Sequence, residues 1–155
     1  MRFKVRSFVF LWVLLTIAVA CSPKPEGPQP PEINYGQEMC DECGMVIDDQ
    51  RFAAATLLIN GEYLKFDDAG EMLSYHMNHP EDQVAAWFVH DYSTEEWIRG
   101  ETATFVNSAT IQTPMASGIV AFADPEQAEA FAVERSGKLF TLDEMRAQVH
   151  MVKHP

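Results

Sequence analysis

RFAAATLLINGEYLKFDDAGEMLSYHMNHP, residues 51–80, is the stretch whose reading decides the fold. Two extended segments flank Asn60-Gly61, a pair that readily takes the positive φ angles of a type I′ turn, so the first half reads as an antiparallel hairpin. The period then changes. Ala69, Met72, Leu73, His76 and Met77 fall at i, i+3, i+4, i+7 and i+8, one face of a helix, with Asp67 or Asp68 as its N-cap and Pro80 as its stop. QVAAWFVHDY, residues 83–92, is rich in aromatic and β-branched side chains and returns the chain as a strand.

The same order recurs downstream. ETATFVNSA (101–109) and GIVAFA (118–123) read as strands, and the next helix has Asp124 as cap, Pro125 at N1, Gln127 at N3 and Gly137 at its end. KLF (138–140) is a short strand, and TLDE (141–144) is a capping box that opens a last helix. Phe66 and Phe122 each close a second strand just before an acidic cap, a repeat offset of 56 residues. The expected fold is therefore α+β, with two tandem ββαβ units built on antiparallel hairpins.

N-terminal to these units the composition changes twice. Residues 1–20 carry Arg2, Lys4 and Arg6 and then an apolar run ending in AVA before Cys21, the pattern of a lipoprotein signal peptide with Cys21 as the lipidated residue. An ordinary signal peptide or an uncleaved anchor are the alternatives, and each exports the domain. Residues 22–37 hold five of the nine prolines and no apolar periodicity, so residues 21–39 read as a lipidated Pro-rich tether. The folded domain is expected over residues 40–149 and a flexible tail over 150–155.

Ten phenylalanines, three tryptophans and 47% hydrophobic residues suffice for one core without disulfide support. Without the leader's three basic residues, eight Lys and Arg face 23 Asp and Glu, a net charge of −15. Such a surface disfavours nucleic-acid binding, which needs basic contacts to phosphate. No G-x-S-x-G elbow, P-loop or H-E-x-x-H helix supports a hydrolase.

The chemistry concentrates in EMCDECGM, residues 38–45. A redox couple needs a thiol activated by positive charge or a helix N-terminus, whereas Asp41 and Glu42 stand between these thiols. A plain disulfide remains open in an oxidising compartment. A zinc site would need two further ligands from His76, His79, His90, His150 or His154. A soft-metal site uses more of the sulfur: Met39 and Met45 flank Cys40 and Cys43, and thiolates with thioethers suit Cu(I). Met115 lies in the polar loop QTPMASG and could add a further sulfur, while Met72, Met77 and Met145 sit at helical spacings that suit core packing. His76 reads as a partly buried histidine, and His90, beside Asp91, as a further nitrogen candidate.

CDECGM, YLKFDD, VHDYSTEEWI, TPM, AFA and GKLFTLDE, in that order, resemble the NosL family of copper-binding lipoproteins, accessory to nitrous oxide reductase maturation. The likeness runs from about Cys40 to Glu144. It implies a tandem ββαβ fold similar to part of the organomercurial lyase MerB. It also implies a Cu(I) metallochaperone rather than an enzyme, anchored to a membrane through Cys21 and exposed outside the cytoplasm, on the periplasmic side in a Gram-negative cell. Its implied partner is apo nitrous oxide reductase or the copper-assembly machinery of that enzyme. Carried onto matching positions, the resemblance implies Cys40, Cys43, Met45 and Met115 as metal ligands. Met39 is added by its chemistry, and His90, beside Asp91, stands at a position that in the family often lacks a histidine. Ala116 stands where glycine is expected. A thiol-disulfide or organomercurial-processing enzyme, or an envelope scaffold with an inert disulfide, are the competing classes.

Overall fold

The structure, a computed structural model, describes residues 27–153. The expected signal peptide and the lipidation site Cys21 lie outside the described residues. Strand β1 (Ala54–Leu58) pairs with β2 (Tyr63–Phe66), helix α1 (Ala69–Asn78) follows, and β3 (Val84–His90) returns antiparallel on the other side of β1. A short β4 (Trp97–Arg99) extends this sheet to the order β2-β1-β3-β4. The second unit repeats the plan with β5 (Thr104–Asn107), β6 (Ile119–Phe122), α2 (Pro125–Arg135) and β7 (Lys138–Phe140), in the order β6-β5-β7. Each unit thus places its first strand in the centre. Ala54 faces Phe66 in one hairpin and Thr104 faces Phe122 in the other, the equivalence expected from the two phenylalanines. Helix α3 (Leu142–Lys153) closes the chain and reaches into the stretch read as a tail.

Side-chain alternation explains how the sheets pack. Phe66, Leu64 and Val89 from the first sheet and Phe105, Ile119 and Ala121 from the second enter one core, which Met72 and Leu73 of α1 and Met145 of α3 fill. The alternate residues Val106, Val120 and Phe122 turn the other way, onto Ala128 and Ala132 of α2. Asp91 ties the two units together. It makes a parallel bridge to Ala121, and its carboxylate accepts from the backbone of Ser93 (2.9 Å), Thr94 (2.9 Å) and Ala123 (2.7 Å).

Capping residues act largely as expected. The Asp68 side chain accepts from Gly70 N–H at 2.6 Å and Asp124 from Glu126 N–H at 2.9 Å, while Thr141 and Glu144 form the reciprocal box that starts α3. Three local expectations change. Asn60-Gly61 does not form a type I′ turn: only Gly61 has positive φ (+89°), with Gly61 N–H bonded to Leu58 O and Leu58 N–H to Glu62 O, a longer loop with a glycine bulge. The left-handed residue ending α2 is Ser136 (φ +51°) rather than Gly137. Gly137 is needed for closeness instead, since a Cβ there would lie 2.8 Å from Val106 Cγ1.

The third change is at the N-terminal edge. The domain was expected to begin at Cys40 after a free tether, yet Ile33 and Tyr35 pack against the core. Tyr63 donates to Gln29 O at 2.7 Å and Lys65 Nζ to Glu32 O at 2.8 Å. Two apolar residues among the prolines are enough to lay this strap on the sheet, because their burial offsets the entropy of ordering it.

Candidate metal centre

Cys40 and Cys43 sit on a tight hairpin. Met39 and Val46 form a β-bridge, Cys40 N–H bonds Met45 O at 2.7 Å, and Gly44 N–H bonds Cys40 O at 3.0 Å. Gly44 takes φ +69°, which glycine adopts without a Cβ penalty. The tip is fastened to β2, where Asp41 N–H donates to Lys65 O (2.9 Å) and Asp41 Oδ2 accepts from Lys65 N–H (2.6 Å). Lys65 also pairs through its ammonium with Glu38, and this hydrogen bond, with those from Asn34, holds the Glu38 carboxyl down to about 2. One strand residue therefore clips both sides of the thiol loop.

Directly after β2 comes Asp67, only 3% exposed. Potential ligand atoms of Cys40, Cys43 and Asp67 all lie within 4.8 Å of one another. Cys43 Sγ is 3.7 Å from Asp67 Oδ1, and Asp67 Oδ2 is buried with no hydrogen-bond partner. Both thiols are free rather than joined in a disulfide. Burial pushes the Cys40 thiol up to about 12, although the backbone N–H groups of Cys43, Asp67 and Glu42 are placed to favour its thiolate. Burial likewise raises the Asp67 carboxyl, opposed by a thiol hydrogen bond from Cys40.

These groups suit a cation. Amide donors converge on one sulfur, a second sulfur stands beside it, and a carboxylate oxygen has an unmet acceptor lone pair. A bound cation would displace the thiol protons and satisfy that oxygen. Cys40, buried and with a raised pKa, is not itself an activated nucleophile.

Two exposed methionines neighbour the cysteines in the chain. Met39 is 60% exposed and Met45 48%, beside exposed Val46. Met115 is half-buried in the β5–β6 loop, and its N–H donates to Asp68 Oδ2 at 3.3 Å, one residue from Asp67. The structure thus fastens the Met115 loop of the second unit to the residue that follows Asp67. Ala116 adopts φ +55°, so the left-handed conformation expected of a glycine is kept without one.

Among the described residues, His76 and His90 are held by other partners. His90 is buried, with Tyr35 Oη 2.8 Å from Nε2 and Glu95 O 2.8 Å from Nδ1, and its ring lies 3.8 Å from that of Trp97. Both nitrogens are occupied, and among the described residues no histidine joins the Cys40–Cys43–Asp67 cluster. His76 bonds Thr56 Oγ1 at 2.9 Å, and burial among aromatic rings lowers it to about 4, a packed histidine as expected. Asp67 itself was missed in the sequence, where Asp67-Asp68 served only as a cap. The available signal was the surplus: a helix needs one N-cap, and Asp68 supplies it.

The NosL family model matches residues 32–150, most of the chain. This chain belongs to the NosL family. Among solved structures it is similar to the crystal structure of the copper chaperone NosL from Shewanella denitrificans, with a TM-score of 0.66 and 24% sequence identity. The match covers 76% of this chain and 96% of that one, and at this identity it speaks for the fold. A search of curated proteins found no match. The tandem ββαβ arrangement is thus a NosL fold, with the thiol hairpin placed on the edge of the first unit and the Met115 loop contributed by the second.

Proposed function

We propose that this NosL-family chain is a Cu(I) metallochaperone, and the observation that carries the reading is the convergence of Cys40, Cys43 and Asp67 within 4.8 Å, with exposed Met39 and Met45 next to the two cysteines in the chain. Two thiolates with thioethers prefer a soft monovalent ion. Cys40 and Cys43 are the primary donors, Met45 and Met115 add thioether sulfur, and exposed Met39 is a further candidate donor. Exposed Met39 and Met45 leave the cargo accessible, which a carrier needs and a closed structural site does not. The solved relative is a copper chaperone, which supports the same reading.

Cys21 lipidation would hold the carrier on a membrane outside the cytoplasm, and the recipient is apo nitrous oxide reductase or its copper-assembly machinery. The test is transfer. The reduced, full-length chain is loaded with Cu(I), separated from free metal, and mixed with the apo reductase and its assembly machinery. Copper moving to the reductase in proportion to the carrier supports the proposal, and copper retained by a loaded carrier defeats the delivery step. Asp67 favours a second reading at the same donors, because two thiolates and a carboxylate also suit Zn(II). Metal content after exposure to equal Cu(I) and Zn(II) separates the two.

A further inference from the structure

The β5–β6 loop belongs to the second unit, yet its tip is fastened to the first. Asp68 is fully buried at the N-cap of α1, and its two oxygens have different duties. Oδ1 accepts from Gly70 N–H (2.6 Å), as a cap does, and from the Ser117 hydroxyl (2.6 Å). Oδ2 accepts from Met115 N–H (3.3 Å). The approach is close enough to demand glycine at position 70, where a Cβ would lie 2.3 Å from Ser117 Cβ. The loop is shaped for this docking by two left-handed residues, Ala116 and Gly118, and a Cβ on Gly118 would lie 2.2 Å from Ser108 O.

Capping requires one acceptor, and Ser, Thr or Asn would serve. Asp68 supplies more: a second buried oxygen aimed at the backbone of Met115, on an element more than forty residues away. Asp68 also directly follows Asp67, so a single peptide unit links the thiol cluster to the anchor of the loop methionine. We propose that Asp68 is a positioning residue for the cargo site, holding the Met115 loop against Cys40, Cys43 and Asp67 so that the thioether can join the copper shell. This rests on the reading of that cluster as a Cu(I) site. Asp68 does not touch the metal. It acts through the loop, as outer partners of metal ligands do.

Asp68→Asn is the informative substitution. With its carbonyl at the Oδ1 position, asparagine keeps the Gly70 cap and the Ser117 bond, but its amide meets Met115 N–H donor to donor. The probe is Cu(I), titrated into the reduced full-length chain against a chromophoric Cu(I) chelator, with X-ray absorption counting sulfur neighbours. The expected result is about tenfold weaker binding and one fewer sulfur neighbour. D68N/M115A should bind no more weakly than M115A alone, because the two changes remove the same interaction. Gly70→Ala, which favours the helix but meets Ser117, should lose Cu(I) affinity in the same way with an unchanged circular dichroism spectrum. Parental affinity and sulfur count in D68N, where M115A has lost both, would overturn the proposal, as would additive losses in the double variant. An M115A chain indistinguishable from its parent removes Met115 as a ligand and the proposal with it. If Cys40→Ser is silent as well, the failure lies in the underlying copper reading.

Discussion

Asp67→Ala is expected to strengthen the metal-free fold while weakening its hold on metal. Asp67 is 3% exposed, its Oδ2 has no hydrogen-bond partner, and the carboxylate is otherwise met only by thiols, which are weak donors: Cys43 Sγ at 3.7 Å from Oδ1, and Cys40. A buried acceptor left unsatisfied costs about 1–3 kcal/mol, and the weak thiol contacts return about 1 kcal/mol or less. Alanine keeps the Cβ and the backbone N–H near Cys40 and removes only the carboxylate. The metal-free variant should therefore be about 1–2 kcal/mol more stable than its parent. Equilibrium urea unfolding of the reduced, chelator-treated chain at pH 7 reads this directly as a higher midpoint at unchanged slope. Repeating the unfolding with Cu(I) present should reverse the order, because binding stabilises the parent more than the variant. A metal-free variant that unfolds at lower urea than the parent would refute the reasoning, since Asp67 would then be a structural residue with partners and not a donor awaiting a cation.

Two further substitutions test the framework that places the cluster. Burial pushes the Asp91 carboxyl up, but hydrogen bonds from the backbone of Ala123, Thr94 and Ser93 outweigh it, and the net shift is downward. A depressed carboxyl contributes stability that is present above its unfolded pKa, near 4, and lost as pH falls through the folded value. Asp91→Asn should therefore cost about 2 kcal/mol at pH 7, and the gap from the parent should shrink progressively below about pH 4; a gap independent of pH would contradict the assignment. Ala116→Gly should gain up to about 1 kcal/mol, since φ +55° strains alanine and not glycine, and a lower melting temperature for the variant would show that the strain is absent.

The hairpins and helices were legible because their signals are local: strand alternation, the helical spacing from Ala69 to Met77, and acidic caps at Asp68 and Asp124. The duplication was legible from Phe66 and Phe122, which occupy equivalent register positions. Strand β4 was not, because three residues carry no period and Trp97–Arg99 is extended only through pairing with β3. Ser136 was passed over for Gly137 because composition marks the end of a helix but not which residue turns left-handed. The thiol pair announced itself in the chain, whereas Asp67 joined it only through the tertiary fastening of the Cys40 hairpin onto β2. His90 shows the converse: its residue type suggested a ligand, while Tyr35 and the Glu95 carbonyl, brought in by the fold, occupy both nitrogens.

Competition for Cu(I) between the reduced full-length chain and a chromophoric chelator, run in parallel on the parent, Cys40→Ser and Cys43→Ser, tests the central claim most directly. The parent should withdraw about one equivalent of copper from the chelator, and each serine variant should lose most of that capacity while its stability stays within about 1 kcal/mol of the parent, because serine is nearly the same size and, at position 40, accepts the same backbone N–H donors. A parent that leaves the chelator saturated, or serine variants that compete as well as it does, would contradict the account.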